Sequence, residues 1–257
     1  MARRRGLDEV FHFFISEEEQ REIRARSEQS GSAAPAVRWC IAANPERPLS
    51  GALVRDLAVA LAQFDRRVHV VAPFSAPFEP AAAVVWHSGT DPRELDRALS
   101  EVPPGCSLVA IERAARIAAW LEQPRHDGTA DFDALLLPIE AAEWGIAEAR
   151  ATLRELAEAA RSLRIVGVVL SAADPKSGRA LFARLAAWAR SEFRLELEFA
   201  GSLDRDRASF RSLLQGIPLT QLDPTAASAR SLERLIACLI PETSAPRGRQ
   251  PGTTELG

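Results

Sequence analysis

The sequence predicts an α/β domain of three layers, a mostly parallel sheet flanked by helices on both faces. Three observations lead there. Short apolar runs of strand length recur along the chain, and amphipathic patterns of helical period separate them, an alternation that builds parallel sheets with helices on either side. At 257 residues and 47% hydrophobic, the chain is also large enough to bury the core of one substantial domain plus appendages.

Taken in order, residues 7–15 place Leu7, Val10, Phe11, Phe14 and Ile15 at i, i+3, i+4, i+7, i+8 spacing, one apolar face of a helix. Ser16 with Glu19 reads as a capping box, and Glu17 with Arg21 and Glu22 with Arg26 pair at i, i+4 along a polar continuation. Residues 1–28 are therefore read as a helical interaction segment, and 29–36 (Gln-Ser-Gly-Ser-Ala-Ala-Pro-Ala) as a flexible linker. The domain spans 37–240. It opens with a strand near Val37–Ala43, a helix over about Gly51–Phe64 with Leu53, Leu57, Leu61 and Phe64 on one face, and a strand at Arg67–Ala72. Further strands are expected at Ser107–Ile111, Ala134–Leu137, Ile165–Leu170 and Leu195–Ala200, with helices at 93–100, 112–123, 144–163, 177–191 and 228–240. Residues 241–257, rich in Pro, Gly, Ser and Thr, read as a disordered tail. Trp120 and Trp188 fall within amphipathic helical patterns and are assigned to the core, whereas Trp86 and Trp144 stand near element ends and are candidates for exposure.

Composition narrows the function. Net charge is −3, with 32 basic residues dispersed among 35 acidic ones, so no broad cationic face for nucleic acid is expected. Cys40, Cys106 and Cys238 are odd in number and lack CxxC spacing, and no signal peptide or long apolar span is recognisable, which implies a reduced, cytoplasmic setting. His12, His69, His87 and His126 fall in different elements rather than at metal-ligand spacing, and no metal site is expected.

The strand, loop, helix, strand order of 37–74 is that of a nucleotide-binding unit, and its loop carries the sharpest signal. It reads Asn44-Pro45-Glu46-Arg47-Pro48-Leu49-Ser50-Gly51. A loop that cradles phosphate needs glycines that turn their N–H groups toward the anion, then a lysine and a hydroxyl residue for the terminal phosphates and magnesium. Here two prolines remove donors, Glu46 repels phosphate, and no lysine is present. Arg47 is the one residue placed to hold an anion at the helix start, and the alternative for it is plain solvation.

Residues Asp56-Leu57-Ala58-Val59-Ala60-Leu61-Ala62 resemble the NLAxALA helix of the MinD/ParA family of deviant Walker ATPases. Ala130 to Pro138 resembles the strand after that family's Walker B region, and Ile165-Val166-Gly167-Val168-Val169-Leu170-Ser171 resembles its VGLVVN strand. Phe199 to Asp206, with Gln215-Gly216-Ile217-Pro218-Leu219 and Leu222-Asp223-Pro224, is similar to the LGxIPxD…GxPxxxxxP close of the FleN-like and MinD-like branch. The resemblance covers Val37 to Ile240 and is most specific in the C-terminal third. It implies a P-loop NTPase-like fold of the SIMIBI class.

Against the family's KGGVGKTT loop, the signature lysine becomes Pro45, the phosphate-binding lysine becomes Ser50 and the magnesium-binding hydroxyl becomes Gly51. The general-base region reads Ala72-Pro73-Phe74, the adenine-contacting asparagine is replaced by Ser171, a residue otherwise read as opening a turn, and Glu112 stands where a Walker B carboxylate is expected, with helix capping as its other reading. The expectation is a pseudo-ATPase without catalytic residues or a bound cofactor, acting as a protein-binding adaptor or regulator where relatives act: cell division, flagellar, chromosome or cargo positioning, or polysaccharide assembly. The alternatives are an ATPase that binds nucleotide through an unusual loop, and a structural subunit that forms a homodimer or pairs with an active paralogue. The partner is expected on the 7–15 stripe with Phe11 and Phe14 as anchors, the competing reading being that the stripe folds back on its own domain. Arg3, Arg4 and Arg5 beside it give only a weak case for membrane contact, because Glu17, Glu18 and Glu19 oppose anionic lipid.

Overall fold

The computed structural model describes residues 36–63, 67–76, 83–103, 105–122 and 132–240. The interaction segment with Leu7, Val10, Phe11, Phe14 and Ile15, the linker through Pro35 and the tail from Pro241 lie outside the described residues.

Seven strands form one sheet in the order β3-β2-β4-β1-β5-β6-β7, and every neighbouring pair is parallel. The strands are β1 (Arg38–Ala42), β2 (Val68–Ala72), β3 (Val84–Ser88), β4 (Ser107–Glu112), β5 (Ala134–Glu140), β6 (Arg164–Ala172) and β7 (Leu197–Asp204). Between and after them run α1 (Pro48–Ala62), α2 (Pro92–Glu101), α3 (Ala114–Glu122), α4 (Glu143–Leu156), α5 (Pro175–Phe193), α6 (Arg207–Gln215), α7 (Leu219–Leu222) and α8 (Ala227–Leu239).

Alternation along each strand sorts side chains to the two faces. Trp39 and Ile41 of β1, Val68 and Val70 of β2, and Val166 and Val168 of β6 pack with α1 and α8. Cys40 and Ala42, with Leu135, Leu137 and Ile139 of β5, pack with α3, α4 and α5, while Val71, Leu108 and Ala110 meet α2. Because both faces are covered, the central strands read as nearly continuous apolar runs rather than as alternating ones. Pro138 falls where β5 no longer pairs with β1 but still pairs with β6, opposite Val168.

The structure corrects several sequence boundaries. α1 begins at Pro48 rather than Gly51, since proline at the first helical position is pre-set for the helix and has no N–H to lose. β3 was not anticipated: Val84-Val85-Trp86-His87-Ser88 has only five residues and sits at the sheet edge. Trp86 therefore lies in mid-strand and half-buried rather than at an element end. α6 and α7 were not anticipated either. Ser171 does not open a turn; it sits within β6 with φ 56° at a register shift against β7.

Candidate functional site

The C-terminal ends of parallel strands are where open α/β sheets bind ligands. At that edge the loop after β1 leads into α1, flanked by the ends of β4 and β5. Four of its backbone donors are engaged internally. The Glu46 N–H donates to Asn44 Oδ1 at 3.1 Å and the Arg47 N–H to the Asn44 carbonyl at 3.1 Å. The N–H groups of Ser50 and Gly51 both donate to the Arg47 carbonyl, at 3.0 and 3.3 Å. Pro45 and Pro48 have none to offer. A phosphate placed here has to displace an Asx turn and the first turn of α1.

The side chains are engaged as well. Glu46 forms an exposed ion pair with Arg113 at 2.7 Å. Arg47 stacks its guanidinium over the indole of Trp144, 4.6 Å from the ring centroid. Leu49 packs against the core beneath α1, and Ser50 is buried. Phe74 lies 3.8 Å from where a Cβ on Gly51 would stand, and its carbonyl accepts from the Trp86 indole N–H at 3.0 Å. The region that in the resembling family carries the general base is thus an apolar plug of Phe74 and Trp86. The pocket lined by Asn44, Arg47, Ser50, Glu140 and Glu148 measures about 20 Å³, room for a water molecule.

Glu112, at the end of β4, accepts from the Arg113 N–H through Oε1 at 2.8 Å. The bond is to the adjacent residue, just ahead of α3. Among the described residues no three His, Cys, Asp or Glu side chains gather as a ligand set for a metal ion. Glu140, at the end of β5, is pushed above the usual carboxylate range by burial, a rise that Arg47 opposes and Glu148 reinforces.

Beside the loop opens a larger groove of about 650 Å³, with Leu49, Asp56, Glu140, Trp144, Ser171 and Phe210 in its lining. A buried network fixes its α6 wall to α1. Arg55 donates through Nε to Asp56 Oδ1 at 2.9 Å, through Nη1 to the Ser212 carbonyl at 3.2 Å and through Nη2 to Ser212 Oγ at 2.6 Å. Asp56 Oδ1 also accepts the Leu219 N–H at 3.2 Å. Burial nevertheless pushes the Asp56 carboxyl upward, with Arg55 and the Leu219 N–H opposing it. The β7 side is held by Asp206, which caps α6 through Ser209 and accepts from Ser228 N–H and Oγ of α8; these four hydrogen bonds outweigh partial burial and hold its carboxyl below the usual range.

The structure thus keeps Asn44 to Gly51 together as one loop and helix start, as the contiguous sequence requires. Sequence reasoning missed the Arg47 stack on Trp144, the Arg55 network and the apolar stripe on α6. The first two join residues about a hundred positions apart or more, and no local pattern announces them. The stripe is local: Phe210, Leu213 and Leu214 recur at i, i+3, i+4.

The sequence matches no protein-family model and no curated protein. In structure, the chain is similar to the MinD cell division protein of Aquifex aeolicus, at 12% identity over 83% of this chain and 100% of that one, with a TM-score of 0.56. The same TM-score and identity are found with the MinC:MinD cell division protein complex of that organism. Apo McdA from Cyanothece matches at 14% identity, 79% and 99% coverage and a TM-score of 0.54. A plasmid partition protein of Borrelia burgdorferi, solved with AMPPNP, matches at 10%, 79%, 98% and 0.53. The fold is that of the MinD/ParA P-loop NTPases: a seven-stranded parallel sheet with helices on both faces. Among the described residues no helix is long and apolar enough to cross a membrane.

Proposed function

We propose that the chain is a non-catalytic pseudo-ATPase of MinD/ParA type that acts as a protein-binding adaptor or regulator in spatial organisation. The observation that carries the reading is the loop after β1. It has no lysine and two prolines, and the N–H groups of Glu46, Arg47, Ser50 and Gly51 are bonded within the loop and the first helical turn. Phosphoryl transfer depends on positioning and charge stabilisation of the phosphates, and this loop supplies neither. The setting comes from its structural neighbours: one belongs to a cell division complex with a second protein, and another is a plasmid partition protein. The protein partner is assigned to the stripe of Leu7, Val10, Phe11, Phe14 and Ile15.

The test is isothermal titration of the purified chain with ATP, ADP and GTP in the presence of magnesium, together with a hydrolysis assay. Absence of heat and turnover is the expected result. Micromolar binding of any of the three overturns the reading and returns the chain to the nucleotide-binding class.

A further inference from the structure

The large groove beside the loop has an apolar rim that packing does not explain. Among the described residues the exposed large hydrophobic side chains are Trp144, Phe210, Leu214 and Ile217. Trp144 stands at the start of α4 on one side of the groove, and Phe210 and Leu213 of α6 line it with Trp144. Leu214 extends the helical stripe and Ile217 follows the left-handed C-cap at Gly216, both outside the groove lining. Phe210 and Leu214 are 61% and 69% exposed, well beyond what a side chain packed on its own domain shows. Contiguous apolar surface of this kind marks a binding site.

The charges sort by depth. Of the acids lining the groove, Asp56 is engaged by Arg55, Asp204 Oδ2 by Ser231 Oγ at 2.9 Å and Asp206 by Ser209 and Ser228, while Glu140 and Asp204 Oδ1, set deep in it, have no hydrogen-bond partner among the described residues. Along α6 and the turn before it, Arg205, Arg207 and Arg211 are exposed, and their side chains have no hydrogen-bond or ion-pair partner among the described residues. No acid lies within α6 itself. The apolar stripe is therefore flanked by uncompensated positive charge.

From this we infer that the groove between Trp144 and α6 docks an amphipathic helix of a partner protein, apolar on one face and acidic along its flanks. An apolar stripe on the partner fills the space between Trp144 and Phe210 while its carboxylates meet Arg205, Arg207 and Arg211. Symmetric pairing of α6 with a second copy brings the same three arginines face to face, which costs rather than stabilises. A membrane surface fits a convex patch, and here the aromatic side chains face each other across a concavity. The proposal does not depend on whether the chain hydrolyses ATP.

The test uses the full chain and two synthetic amphipathic helical peptides with one apolar face of Leu and Phe, flanked in one by glutamate and in the other by lysine. Binding is followed by fluorescence anisotropy at low salt. The glutamate peptide is expected to bind at least about tenfold tighter than the lysine peptide, and R207E/R211E to reverse that preference. F210D is expected to abolish binding of both, with an unchanged circular dichroism spectrum. Equal affinity for the two peptides, or no binding of either, overturns the proposal. So does a concentration-dependent dimer in sedimentation that F210D dissolves, which assigns the face to a second copy. Binding to phosphatidylglycerol vesicles that F210D abolishes, without peptide binding, assigns it to a membrane and also overturns the proposal.

Discussion

Arg55→Leu tests the network that seats α6 and α7 on α1. Arg55 is almost wholly buried and bonds to Asp56 and twice to Ser212. Leucine fills much of the aliphatic volume, so the cost comes from what is left behind: a buried aspartate without its counter-charge and a Ser212 carbonyl without its donor. Breaking a buried pair from one side costs about 3–5 kcal/mol, and at about 2–4 °C per kcal/mol for a domain of this size Tm falls by roughly 6–20 °C. The loss depends on pH. Burial raises the folded pKa of Asp56 above its unfolded value, so its contribution is complete below the unfolded pKa and is lost as pH rises through the folded one. Removing Arg55 takes away the main opposing influence and raises that pKa further. The deficit of Arg55→Leu relative to wild type is therefore expected to be larger at neutral pH than near pH 4, roughly the unfolded Asp value. Adding Asp56→Asn removes the stranded charge while keeping an acceptor for the Leu219 N–H, and is expected to recover at least about 1 kcal/mol in urea unfolding. A loss below about 1 kcal/mol for the single variant, or no recovery in the double, refutes the electrostatic account and leaves only packing.

The remaining predictions concern the loop, the helix approach and the sheet edge. Ser50→Lys with Gly51→Thr, leaving Pro45 and Pro48 in place, is expected to give no ATP binding by titration, because the backbone donors stay bonded to Asn44 and Arg47. Micromolar binding by that variant shows that side chains alone were limiting. Gly145→Ala drives a Cβ into the Glu140 carbonyl oxygen, so α4 must shift; a loss of about 1–3 kcal/mol and a changed Trp144 emission are expected from thermal melts and fluorescence. His69 and His87 share a ring N···N contact of 2.9 Å. Burial depresses both pKa values, with His87, Arg67 and Arg38 adding to the effect at His69 and Glu101 opposing it at His87. Their contribution is complete above the unfolded pKa and is lost as pH falls through the folded values, so Tm is expected to drop below about pH 6.5, less steeply in His87→Gln.

Most of the fold was legible because its signals are local. β2, β4 and β6 announce themselves as continuous apolar runs, which a parallel sheet covered on both faces requires. α5, expected from 177, starts at Pro175 with Asp174 as its N-cap, a start signal hidden by reading 171–175 as a turn. β3 escaped because five residues at an edge, with His87 and Ser88 among them, carry too little apolar period. α6 escaped for a different reason. Its apolar spacing, Phe210, Leu213 and Leu214, spans little more than one turn before Gly216 closes the helix, too short a period to stand out from the flanking loop residues.

The loop was legible in composition but not in mechanism. Two prolines and a missing lysine carry the expectation of impaired phosphate chemistry; they do not say where the remaining donors go. The structure supplies that step: Asn44 turns the loop on itself, Arg47 closes the first turn of α1 with its carbonyl and lays its guanidinium on Trp144. A phosphate cradle is a set of unbonded N–H groups held open by glycines, whereas this loop is a closed Asx turn leading into a proline-started helix. In the first arrangement the anion completes the structure; in the second the structure is complete without it. Beside the same edge of the sheet stand an exposed indole and an uncovered phenyl ring, the surfaces on which the proposed helix docking rests.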